Sequence, residues 1–164
     1  MHERSARPRR DDREMSYLTA FVAGFLSTLV FHQGALAGLH AAGLTTHAPY
    51  VMTPTSPFHL PAVVSLAFWG GVWAVVLWRF IGRSRPRWAY WTAWIGLGAI
   101  LPSLAAWFVV LPLKGLPVAA GWSLEVVLGA LLLNGVWGFG VALLLRGVEW
   151  LRSPSVGPHS NRPS

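Results

Sequence analysis

The chain has 164 residues, 54% hydrophobic and only 12% charged, where an ordinary soluble domain carries about a quarter charged residues. Thirteen bases against six acids give a formal charge of +7. This is the composition of an integral membrane protein. The absence of cysteine excludes disulfide scaffolds, thiolate zinc sites, iron–sulfur clusters and membrane thiol–disulfide relays. The bases stand in short flanks beside apolar runs, not on a face with interleaved exposed aromatics, which argues against nucleic acid as a partner.

Residues 1–14 are polar and rich in arginine and read as a disordered basic tail. Four apolar stretches follow, about 17–41, 61–80, 89–112 and 117–145, each near the ~20 residues a spanning helix needs. Ser16 is placed to cap the first, and Pro61 and Pro117 to open the second and fourth. The expected fold is all-α: a four-helix transmembrane domain over 15–152, followed by a second disordered tail, 153–164. The start of the chain also has the character of a signal peptide, with a small-residue site at Ala35-Leu36-Ala37, although the apolar run before it is long.

Arginine placement predicts orientation. Arg4, Arg7, Arg9, Arg10 and Arg13 precede the first stretch, Arg79, Arg83, Arg85 and Arg87 lie between the second and third, and Arg146, Arg152 and Arg162 follow the fourth. The other two connections hold only Lys114. The positive-inside rule then places both termini of a multi-pass membrane protein in the cytoplasm. Trp78, Trp88, Trp91 and Trp150 fall near that face, and Trp107 and Trp122 toward the other, as interfacial belts do. Arg79, Arg83, Arg85 and Arg87 form a basic corner suited to anionic lipid headgroups. The uncharged connection from Gly43 to Leu60, rich in proline and aromatics, reads as an ordered cover on the outer face.

Ionisable groups inside a membrane are costly and frequently functional. His32 and Glu125 qualify, at roughly 13 Å and 12 Å below the expected outer helix ends. Trp69 and Ser103 fall at similar depth, so the sequence suggests one polar layer of His32, Glu125, Trp69 and Ser103. A His–Glu pair there would serve either as interhelical glue or as a proton- or substrate-handling site. His40, His47 and His59 gather near the outer boundary, where imidazoles can ligate haem or a metal. No cofactor is otherwise expected. Gly34 and Gly38 in the first helix, and Gly121 and Gly129 in the fourth, form small-residue stripes suited to close packing or to a homodimer. Gly70-Gly71 reads as a closely packed spot, Pro102 as a kink, and the Asn134 amide as a bond to a neighbouring helix.

The runs Phe31-His32-Gln33-Gly34, Tyr50-Val51-Met52-Thr53-Pro54-Thr55 and Leu66-Ala67-Phe68-Trp69-Gly70-Gly71-Val72-Trp73 resemble an uncharacterised family of small four-helix bacterial inner-membrane proteins, which implies the fold and no activity. The chain departs from the small multidrug exporters, whose membrane carboxylate lies in the first helix. No Gly-x-Ser-x-Gly or Asp-rich metal motif supplies a catalytic residue. The leading expectation is a non-enzymatic membrane component acting through packing or partner contacts. The alternatives are a small proton-coupled transporter using Glu125 and His32, and a haem- or metal-binding anchor.

Overall fold

The computed structural model describes residues 10–56, 58–81 and 86–152, with side chains from Tyr17 onward. Arg83, Arg85 and the tail beyond Arg152 lie outside the described residues. Four helices are long and apolar enough to cross a membrane. The first, α1, runs through Arg10–Ser27, a π-helical turn Thr28–His32, and Gln33–Ala41. The second, α2, is Ala62–Ile81. The third, α3, comprises Arg87–Ala105, a second π-helical turn Ala106–Val110, and Leu111–Leu113. The fourth, α4, is Leu124–Arg152. A small antiparallel pair, β1 (Pro54–Thr55) and β2 (Leu60–Pro61), lies between α1 and α2.

Local chemistry explains where these helices stop. At the end of α1, Gly43 takes φ +71°, its N–H bonds the His40 carbonyl and the Leu44 N–H bonds that of Leu39. At the end of α3, Gly115 takes φ +72°, its N–H bonds Pro112 and the Leu116 N–H bonds Leu111. Both are Schellman closures, in which glycine accepts a left-handed conformation and the last carbonyls are satisfied. Pro86 precedes α3 and offers its carbonyl to the Tyr90 N–H.

The start of α4 corrects the sequence expectation. Pro117 does not open the helix. Ala119, Ala120, Gly121 and Trp122 all have positive φ, and the first i→i+4 bond runs from the Val127 N–H to the Ser123 carbonyl. Left-handed backbone costs an L-residue roughly 1–2 kcal/mol. Ala120→Gly is therefore expected to raise the melting temperature of the detergent-solubilised protein. A drop would mean that right-handed helix already runs through this position.

The packed core sits in the half of the bundle nearer the arginines. It joins Ala20 and Ala23 of α1, Ala74, Leu77, Trp78 and Ile81 of α2, Tyr90 and Trp94 of α3, and Trp137, Val141, Ala142 and Leu145 of α4. Glycines set the helix spacing. A Cβ on Gly24 would meet Ala74 and the Gly70 carbonyl, and one on Gly138 would meet the Trp94 carbonyl and Gly98. One on Gly140 would meet Ser27 and Phe31, and Gly71 packs on the Phe21 ring. Hydrogen bonds then lock the register. Ser27 Oγ donates to the Trp137 carbonyl at 2.7 Å, and Trp137 Nε1 donates to the Gly24 carbonyl at 3.1 Å. Tyr90 Oη donates to the Ala142 carbonyl at 3.2 Å, and the Arg146 guanidinium lies 4.3 Å over the Tyr90 ring.

Candidate functional site beneath the α1–α2 loop

The polar layer suggested by the sequence does not assemble. The Ser27–Trp137 bond aligns antiparallel α1 and α4, so stepping from Trp137 to Glu125 corresponds to stepping from Ser27 to Leu39. Glu125 is thus level with the loop-side end of α1, roughly 10 Å along the axis from His32. It occupies the first turn of α4, with its side chain exposed. No hydrogen bond or ion pair joins it to His32. The displaced start of α4 is the physical reason. Counting from Pro117 buried this carboxylate on paper, whereas the left-handed turn delivers it to a helix N-terminus, where a negative charge is favoured.

The other two members also separate. Trp69 faces outward and is 56% exposed. Ser103 is fully buried, donates to the Ala99 carbonyl at 2.6 Å and accepts from Asn134 Nδ2 at 2.9 Å. This α3–α4 pair realises the neighbour bond expected of Asn134. Consistent with its exposure, Glu125→Gln should shift unfolding stability by less than about 1 kcal/mol, the size of a helix-terminus charge term. A loss of several kcal/mol in a detergent unfolding titration would place the carboxylate in buried packing instead.

What surrounds His32 is a network absent from the sequence expectation. Gln33 is buried, and its Oε1 accepts the Tyr50 backbone N–H at 2.6 Å. A backbone N–H can only donate, so that bond fixes the amide orientation and turns Gln33 Nε2 toward His32 Nδ1, 3.3 Å away. The Gln33 amide donates and His32 Nδ1 accepts. A neutral ring then carries its proton on Nε2. Tyr50 Oη donates to the Leu29 carbonyl at 3.0 Å. Leu29 lies in the π-helical turn, where i→i+5 pairing loosens the usual carbonyl ladder. Tyr50 itself takes φ +52°, a strained conformation for a non-glycine residue held by its two bonds to α1. The connecting segment is also tied to α2, through Val63 N–H to the Val51 carbonyl and Ala62 N–H to the Thr53 carbonyl, both 3.0 Å.

The boundary histidines do not converge. His40, His47 and His59 are exposed, and the His47 ring bonds Thr45 Oγ1 at 3.2 Å. Among the described residues no three His, Asp or Glu side chains are grouped to hold a metal ion. The glycines singled out from the sequence also lie apart from the close helix contacts. A Cβ on Gly34, Gly38, Gly121 or Gly129 would have no atom within 4 Å, and Gly121 belongs to the left-handed turn rather than to a helix stripe. The close approaches use Gly24, Gly70, Gly98, Gly138 and Gly140 instead.

At the opposite end, Arg79 and Arg87 are exposed, and Arg146 Nη1 lies 3.4 Å from Glu149 Oε2. Trp88 and Trp150 are exposed there, whereas Trp78 and Trp107 are buried and so do not belong to interfacial belts. Compared with family models, curated proteins and solved structures, the chain gives no match. The resemblance to small bacterial inner-membrane proteins accordingly carries no function to these residues.

Proposed function

We propose that this chain is a multi-pass bacterial inner-membrane protein with both termini cytoplasmic, acting without catalysis through contacts with a second copy of itself. One observation carries the reading. Within the bundle, Ser27, Gln33, Ser103, Asn134 and Trp137 are spent on intrachain bonds, while the buried indole N–H groups of Trp94 and Trp107 have no partner among the described residues. Gly34 and Gly38 of α1 and Gly129 of α4, by contrast, are left open. Small residues that no neighbour covers allow another helix to approach closely in lipid. The separation of His32 from Glu125 leaves proton-coupled transport through that pair without support, and no cofactor is proposed. Arg79, Arg87 and Arg152 would meet anionic headgroups at the cytoplasmic surface, each worth about 1 kcal/mol.

The test uses a photo-crosslinking residue at Gly34, Gly38 or Gly129, in membranes of the expressing cell, with Phe68 on the exposed side of α2 as reference. A covalent dimer from the glycine positions and none from Phe68 is expected. Lipid adducts alone at every position would sink the contact reading. Maleimide labelling of single cysteines added to the two tails reports orientation, and both are expected to label only after the cytoplasmic side is opened.

A further inference from the structure

We propose that the outer halves of α1 and α2, clasped by their connecting loop, form one rigid arm that swings against α3 and α4 about a hinge at Thr28–His32 and Gly70-Gly71. The proposal concerns packing within a single copy and does not depend on self-association.

The place where the bundle is joined is the first argument. Ser27 Oγ and Trp137 Nε1 hold α1 to α4, and the Phe31 ring closes the joint against Phe139, with centroids 6.2 Å apart. Farther from the arginines, no hydrogen bond or ion pair links α1 or α2 to α3 or α4 among the described residues. Burial changes at the same level. The core shared by all four helices lies on the arginine side of the joint. Beyond it, neither 34–41 of α1 nor 124–134 of α4 holds a buried residue.

Each side is nevertheless held together to its outer end, which is the second argument. On one side Tyr50 bonds Gln33 and Leu29 of α1, while the Val51 and Thr53 carbonyls accept the Val63 and Ala62 N–H groups of α2. Gln33, Val63 and Ala67 are buried there. On the other side Asn134 bonds Ser103, and Ser103, Trp107 and Ala119 are buried. None of these six belongs to the shared core. Two bodies tied internally, with little buried between them, move against each other more readily than within themselves.

The placement of the weak points is the third argument. In α1 the π-helical turn starts at Thr28, directly after the joint residue Ser27, and such turns are recurrent sites of helix bending. In α2 the glycine pair stands at the same height, since a Cβ on Gly70 would meet Thr28 Oγ1. Two residues without side chains let the backbone bend at low cost. Both helices of the arm can therefore flex across its base, and a swing of the arm as one body needs both.

The absence of cysteine allows pairs of nitroxide labels to be introduced in liposomes, with excess unlabelled protein so that dipolar distances are read within one copy. His40, Leu66, Leu18, Trp88 and Leu113 are all exposed. His40 with Leu113 spans the outer end, Leu18 with Trp88 spans the arginine end, and His40 with Leu66 lies within the arm. The 40/113 distribution is expected to be about twice as wide as the 18/88 and 40/66 distributions, or to split in two. The diagonals assign the motion: 40/88 should widen with it, and 18/113 should stay narrow. A 40/113 distribution as narrow as the references would mean a rigid bundle and overturn the proposal. A wide 40/66 distribution would mean that the loop does not hold the arm together, and a wide 18/88 distribution that the base is not fixed; either overturns it too. Widening of 18/113 with 40/88 narrow would move the hinge to α3 and α4, and the assignment to the π-helical turn and the glycine pair would fall.

Discussion

Trp137→Ala is expected to destabilise the protein by about 3–5 kcal/mol, read from its unfolding by denaturing detergent in mixed micelles. The indole is buried where α1, α2 and α4 meet, with Nε1 on the Gly24 carbonyl and its edge against Gly70. Interhelical hydrogen bonds in membranes average only about 0.6 kcal/mol, so most of the loss should come from the cavity. Trp137→Phe separates the two contributions and is expected to recover most of the stability. Trp122→Ala serves as reference, because Trp122 is exposed and its removal should have little effect. Equal losses at 122 and 137 would contradict the packing described.

Gly138→Val carries the second large effect, about 3 kcal/mol, at the upper end of overpacking losses. An added Cβ meets the Trp94 carbonyl and the Gly98 backbone, and neither can rotate aside as a side-chain tip would. Relief requires α3 and α4 to separate, which also strains the Ser103–Asn134 and Tyr90–Ala142 bonds. Gly34→Val is the matched contrast. Nothing lies within 4 Å of that position, so the monomer should tolerate the change, and its effect should fall on dimer crosslinking. A Gly34 variant that unfolds while Gly138→Val survives would invert the assignment of the packing glycines.

Much of the architecture was legible in the sequence because it depends on quantities that sum over many residues. Four apolar stretches became four helices, and Ala41 is the last helical residue of α1. The second helix was placed within a residue at each end, at Ala62–Ile81. The site was not legible, for three physical reasons. A proline at a helix start and a proline in a tight turn look alike in sequence, and at Pro117 the turn prevailed. That moved Glu125 from mid-helix to a terminus. Helix rotation is set by packing, so Trp69 and Ser103, close in depth, face opposite ways. The Tyr50–Gln33 bond joins a loop to a helix interior, and no periodicity encodes it.

The groups that lock the bundle share a habit with an evolutionary consequence. Ser27, Tyr90 and Trp137 all donate across helices to main-chain carbonyls, those of Trp137, Ala142 and Gly24 in turn. Any residue small enough to fit supplies the same carbonyl. Among relatives, therefore, the donors should be kept one by one while their partners drift within a size limit. The contacts that matter most to this fold should leave little trace as correlated substitutions. Ser103 and Asn134, joined side chain to side chain, are the pair expected to change together.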